Sequence, residues 1–302
     1  MNIIVLLNAS AGNSAAKDSR ADELAIHAAF AAAGVMVDLR QVPGKELTST
    51  ARKISSESHG PCTIVAAGGD GTQSAVAAAL AGSLTPMGVL PMGTLNHFAK
   101  DLGIPLDLHA AARAIVKGRP HPVDVAQLNN RVFVNNSSIG LYPHVVRHRD
   151  QLCQRLGHGK WYAMLVAFIV MFRRFPVVNI RMSVNDEDLV TTAPFVFIGN
   201  NEYSIDGMEI GQRDSLENGT LSLYFANRTG RLGMLRLALR ALIGRLRQDR
   251  DFEAKRATEL WIESPKRELS VAIDGEVIRV APPLHYRILP KSLMVMLPAD
   301  SH

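Results

Sequence analysis

Cysteine is nearly missing from this sequence: two occur in 302 residues, Cys62 and Cys153, far apart and without metal-ligand spacing. That excludes a disulfide scaffold and a structural zinc site, and it fits a reducing compartment. Long apolar runs are missing too. The longest, Trp161 to Phe172, has twelve residues, whereas a membrane-spanning helix needs about twenty. The opening MNIIVLLNAS has no basic leader and too short an apolar run for a signal-peptide core, so a cytoplasmic protein is expected. Neither common nucleotide fingerprint is present. There is no Gly-x-x-x-x-Gly-Lys-Ser/Thr loop, and the Gly-x-Gly-x-x-Gly spacing is absent after the first apolar run.

Charge is present but unevenly placed. Lys and Arg number 33 against 28 Asp and Glu, a net +5, yet Arg228 to Arg256 alone holds eight Arg and one Lys against three acids. That segment carries +6 and the remainder −1. A chain basic throughout would suggest a nucleic-acid partner; here no nucleic acid is expected, and the partner question narrows to one stretch.

Up to residue 125, short Val- and Ile-rich runs alternate with Ala-rich helical stretches, the rhythm of a parallel α/β sheet. Strands are expected at Ile3 to Leu7, Val35 to Val42, Thr63 to Ala67 and Met87 to Leu90, and helices at Asp22 to Ala33, Leu47 to Ser56, Gln73 to Ala81 and His97 to Leu102. After Pro120 strands dominate: Val123 to Gln127, Arg131 to Asn135, Val177 to Val184, Phe195 to Gly199, Thr220 to Phe225, Glu259 to Ser264, Leu269 to Ile273 and Val277 to Val280. The expected division is an α/β domain over 1–125, rejoined by 290–302, and a β-rich substrate domain over 126–289. Helical insertions at Lys160 to Arg174 and Arg231 to Arg247 interrupt the second, and a cleft between the halves is the default site.

Three small, polar loops follow strands of the first half: Asn8-Ala9-Ser10-Ala11-Gly12, Gly68-Gly69-Asp70-Gly71-Thr72 and Pro91-Met92-Gly93-Thr94-Leu95-Asn96. In an open parallel sheet all three line one crevice. The glycines of the second let backbone approach a ligand, and the helix after it offers unpaired N–H groups to a phosphate. Asp70 would repel that phosphate unless a cation stood between them, so a magnesium ion, bridged by water, is expected.

Gly68-Gly69-Asp70-Gly71-Thr72, then Gly93-Thr94-Leu95-Asn96, Val123-Asp124 and Ile273-Asp274-Gly275-Glu276, in that order, resemble the signatures of the diacylglycerol kinase catalytic-domain family, which includes sphingosine, ceramide and bacterial lipid kinases. The resemblance runs from about Asn2 to Leu297. It implies a first domain like those of NAD kinases and phosphofructokinases, a β-sandwich second domain, and ATP with Mg2+ in the cleft. Asn8, Ser10 and Gly12 match the family's first nucleotide loop, Gly69, Asp70, Gly71 and Thr72 its phosphate loop, and Thr94 and Asn96 the third. Asp124 matches a carboxylate supporting the magnesium network of Asp70. Glu276 matches the family's proton acceptor. Asp274 is the second candidate for that role and Asp70 the third, while an ordinary β-turn is the bland alternative for Asp-Gly-Glu.

Some residues depart from the family pattern. His97 stands where many members have Asp and can equally be a solvent-facing helix start. The family's structural metal site falls on Ser215, Asn218 and Thr220, with Asn218 in place of the usual aspartate, so weak occupancy or none is expected. Leu232, Leu235, Leu239, Leu242 and Leu246 form one stripe flanked by Arg236, Arg240 and Arg247. A basic amphipathic helix of this kind suits peripheral contact with a membrane surface, or a stripe packed on the β domain. The apolar helix at Lys160 to Arg174 suits either an acyl-chain pocket or a core. The leading expectation is an ATP-dependent kinase acting on a hydroxyl of a diacylglycerol, sphingoid or related lipid substrate. An NAD kinase and a nonenzymatic nucleotide or lipid sensor are the alternatives, and the oligomeric state is open, a homodimer included.

Overall fold

The computed structural model describes residues 2–9, 17–58, 60–140, 178–184, 187–204, 212–213, 215–226, 233 and 252–298. Ser10 and Gly12, the expected helix at Lys160 to Arg174 and, Gly233 apart, the stretch Arg231 to Arg247 lie outside them.

The first half runs β1 (Asn2–Asn8), α1 (Lys17–Ala32), β2 (Asp38–Val42), α2 (Leu47–Glu57), β3 (Cys62–Gly68), α3 (Asp70–Leu80), β4 (Met87–Pro91), α4 (His97–Asp101) and α5 (Leu108–Lys117). β1 pairs in parallel with β2 and β3, and β3 with β4. Ile3 to Leu7 and every residue of β3 are buried, as strands covered by helices on both faces must be. α1 ends in a Schellman motif: Gly34, at φ +84, donates to Ala31 O and Val35 donates to Phe30 O. That cap takes up Val35, so β2 begins at Asp38 rather than at Val35.

The second half comprises β5 (Arg119–Leu128), β6 (Arg131–Phe133), β7 (Asn136–Gly140), β8 (Val178–Val184), β9 (Glu187–Ala193), β10 (Phe195–Asn200), β11 (Leu221–Ala226), β12 (Phe252–Ala257), β13 (Glu259–Glu263), β14 (Leu269–Ile273), β15 (Glu276–Val280) and β16 (Leu284–Leu297). One antiparallel sheet has the order β12-β11-β10-β7-β14-β15. It packs on the antiparallel strands of the larger sheet around Phe133, Ile198, Phe225, Leu260, Val271 and Tyr286, all fully buried or nearly so. The expected α/β domain followed by a β-sandwich is what the chain forms.

β16 joins the two layers. Its first residues pair with β13 and its last with β4 in parallel, while β5 runs antiparallel along its other edge through a register shift between Leu289 and Leu293. Pro290, and Lys291 at φ +50, sit in this shift. They interrupt the strand pattern, so a fourteen-residue strand does not read as one. Four further elements were not expected from sequence. β7 is Asn-Ser-Ser-Ile-Gly, polar yet buried at Ser137 and Ser138. β9 begins on two acids and β12 is half charged. α5 did carry a signal, because the Asp107 side chain caps it by accepting from Ala110 N at 2.8 Å ahead of an Ala-rich run.

The end of β16 also meets the turn between α5 and β5. A Cβ on Gly118 would lie 2.2 Å from both Ala114 O and Leu297 O. Backbone carbonyls cannot swing aside, so Gly118→Ala is expected to lower the free energy of unfolding by about 2–3 kcal/mol, read by denaturant titration.

Candidate active site

The loop after β3 is shorter than expected, because Asp70, Gly71 and Thr72 already form the first turn of α3. Only Gly69 lies between strand and helix. The amides of Thr72 and Gln73 bond back to Gly69 O at 3.0 and 3.1 Å. The N–H groups of Asp70 and Gly71 lie at the amino end of α3, where an anion is favoured by both the unpaired donors and the helix dipole.

The other two loops are laced to this end. Asn8 donates through Nδ2 to Thr72 Oγ1 at 3.1 Å. The third loop closes on itself, since Asn96 Oδ1 accepts from Gly93 N at 3.0 Å and Asn96 Nδ2 donates to Gly93 O at 2.8 Å. Asn96, buried and at φ +51, thus shapes the loop with the very groups expected to meet a nucleotide. Gly69 and Gly93 touch back to back, and a Cβ on Gly93 would stand 2.5 Å from Gly69 Cα.

Across from α3 stands the turn between β14 and β15. Asp274 and Gly275 take φ +45 and +88, and Ile273 pairs with Glu276, so this is the tight hairpin that Asp-Gly favours. Its aspartate does more than turn the chain. The carboxylate accepts from Val134 N at 2.9 Å, Asn135 N at 2.9 Å, Asn136 N at 3.1 Å and Ser74 Oγ at 2.6 Å. Burial holds the Asp274 carboxyl above its ordinary range, an effect that the four donors oppose without reversing. With every donor aimed at it, Asp274 is a strut between α3 and the sandwich. Glu276, two residues on, is exposed.

Between the two faces lies a cleft of about 1000 Å³. Asn8, Gly69, Gly71, Thr72, Asp274 and Glu276 line it, so six of the expected residues meet there. Lys45, Arg52 and Arg131 line it as well. The sequence reading missed these cations because single basic residues on an exposed surface carry no spacing signal. Other expected residues sit elsewhere. Asp70 turns toward α4, with Oδ1 3.4 Å from Phe98 N, a long contact. Thr94 and His97 are exposed, His97 as the first residue of α4.

Asp124, expected to support Asp70, instead takes Gly219 N at 2.7 Å and Lys291 N at 2.8 Å on its two carboxylate oxygens, fully buried. It pins the β16 shift to the loop 215–220. In that loop Ser215 Oγ accepts from Glu217 N at 3.1 Å, Thr220 O accepts from Asn201 N at 3.0 Å, and Asn218 is exposed. Among the described residues no three His, Cys, Asp or Glu side chains gather as a metal cluster.

The profile of the diacylglycerol kinase catalytic domain matches residues 2–128, and that of the YegS C-terminal NAD kinase beta sandwich-like domain matches 137–297. A Pseudomonas aeruginosa protein named "Probable lipid kinase YegS-like" is 30% identical over 260 residues, 83% of this chain and 82% of that protein. The chain belongs to the YegS-like family of lipid kinases. An uncharacterized Synechocystis protein is 29% identical over 82% of this chain, which spans 57% of that relative's length. A crystal structure of a diacylglycerol kinase from Bacillus anthracis superposes with TM-score 0.69 over 100% of this chain and 98% of the other; at 21% identity it speaks to the fold. In this YegS-like chain the Gly-Gly-Asp-Gly-Thr loop and the Asp-Gly-Glu turn belong to different domain profiles and face each other across one cleft.

Two glycines of these loops should behave differently. Gly93→Ala drives a Cβ into backbone and should lower the melting temperature by several degrees, whereas Gly71, with nothing within 4 Å, should accept Ala with little change. Thermal unfolding of the two variants reads the difference, and the first loss corresponds to roughly 1–3 kcal/mol of overpacking.

Proposed function

We propose that this lipid kinase transfers the γ-phosphoryl group of ATP to a hydroxyl of a diacylglycerol, sphingoid or related lipid. The observation that carries the reading is Glu276: it lines the same cleft as the amino end of α3, on a turn that Asp274 ties to α3 itself. The α3 amides and the cations Lys45, Arg52 and Arg131 would hold the phosphates. The acceptor oxygen attacks the γ-phosphorus, the bond to the bridging oxygen breaks, ADP leaves, and the Glu276 carboxylate takes the hydroxyl proton.

Magnesium, when bound, neutralises the charge on the transferring group. The residue that would hold it is Asp70, whose Oδ1 makes, among the described residues, a long contact to Phe98 N. A hard cation that keeps several waters and binds through one or two carboxylates plus substrate phosphates suits a single aspartate. The nucleotide is assigned to residues 1–125, with Arg131 of the second domain beside its phosphates, the lipid is assigned to 126–289, and Arg236, Arg240 and Arg247 are assigned to an anionic membrane surface.

With labelled ATP and a lipid extract, Glu276→Gln should cut transfer by on the order of a hundredfold or more while ATP still binds; undiminished turnover removes Glu276 as the base. A parallel incubation with NAD should give no labelled product. Replacing Arg236, Arg240 and Arg247 together by Gln should weaken binding to anionic vesicles by roughly 3 kcal/mol, on the order of a hundredfold, and leave binding to neutral vesicles unchanged in co-sedimentation.

A further inference from the structure

The segment 134–136, whose amides hold Asp274, is held from its other side by a residue outside the family motifs. Arg213 is buried, with its side chain fully enclosed. Its Nε and Nη2 both reach Asp101 Oδ2, at 2.7 and 2.6 Å. Nη1 donates to Val134 O at 2.6 Å and Asn200 O at 3.1 Å, and Nη2 donates to Asn135 Oδ1 at 2.8 Å. The guanidinium also lies 5.2 Å from the Tyr203 ring centroid.

The backbone of the segment can be accounted for completely. All three amides of 134–136 go to Asp274. Val134 O takes Arg213 and Asn200 Nδ2, Asn135 O takes Asn200 N, and Asn136 O takes Asp274 N. Arg213 and Asp274 therefore clamp one short segment from opposite sides. Beyond them the clamp ends in the first domain on both sides, at Asp101 of α4 and Ser74 of α3, the two helices that follow the Gly-Thr-Leu-Asn and Gly-Gly-Asp-Gly-Thr loops. The rigid fork of an arginine suits this task, since it meets a carboxylate, two carbonyls and an amide oxygen at once, which a lysine cannot.

We propose that Arg213 is a positioning residue for phosphoryl transfer: it fixes the 134–136 segment that cradles Asp274, and through that turn sets where Glu276 stands against the amino end of α3. The proposal rests on the reading of Glu276 as proton acceptor. The Arg213 side chain is fully enclosed and does not line the cleft.

A purely structural role makes a different prediction, and two variants separate them. Arg213→Gln leaves the Asp101 carboxylate buried and unpaired; Arg213→Gln with Asp101→Asn removes that charge as well. The double variant is expected to recover melting temperature relative to the single one, and to stand in for it if the single one does not fold. Transfer to lipid, expressed per ATP-binding molecule, should stay down by on the order of tenfold to a hundredfold in both, with the affinity for ATP within about twofold of wild type. Hydrogen exchange measured on the full chain without substrate should be faster in both at the amides of Val134, Asn135 and Asn136. Unchanged exchange there, or transfer that returns together with the melting temperature, overturns the proposal. A wild-type protein that phosphorylates no lipid overturns the kinase reading instead, a failure distinguished by the exchange measurement, which needs no acceptor.

Discussion

The Asp274 carboxylate is the interaction on which the site depends. It sits on a two-residue hairpin turn of the β-sandwich, yet its acceptors are filled by three consecutive backbone amides and by Ser74 on α3. Hydrogen bonds to a charged group contribute about 1.5–3 kcal/mol each, and burying the charge opposes them. The net stability is therefore smaller than four bonds suggest. The geometric effect remains: four donors from two segments fix one carboxylate, and the next side chain but one, Glu276, inherits its place.

The larger constraint is sheet continuity. β16 crosses from the sandwich into the parallel sheet, and β5 follows it along one edge through the register shift. Asp124, buried beneath the shift, holds Lys291 on one strand and Gly219 on a neighbouring loop. A residue that matches a metal-network carboxylate by motif is, in this chain, an anchor for irregular backbone. Asp124 can fill that role because two carboxyl oxygens accept from several directions, which suits the unpaired amides a bulge leaves behind.

Much of this was legible in the sequence, for identifiable reasons. β1 and β3 are continuous apolar runs bounded by small polar loops, and Ala-rich helical stretches, α1 and α3, follow them, so the parallel half could be read directly. The elements that were missed lack a period. β7 is polar because Ser137 meets Tyr286 OH at 3.0 Å inside the core, and β16 is split by Pro290. At the site, the motifs located both faces of the cleft but not which atoms face it. Asn96 bonds within its own loop, Asp70 points to α4, and Asp124 points to β16; the last two orientations depend on contacts far away in sequence. Arg213 had no signal at all, because its four partner residues come from three separate stretches of chain.

The proposed transfer requires the reacting phosphoryl group to lie between the amino end of α3 and Glu276. The most direct measurement is a crystal structure with a non-hydrolysable ATP analogue and magnesium. The account predicts the terminal phosphate against the Asp70 and Gly71 amides with the Glu276 carboxylate facing it across the cleft. A terminal phosphate bound away from α3, or a cleft in which Glu276 faces solvent with Asp274 still in its cradle, would contradict it.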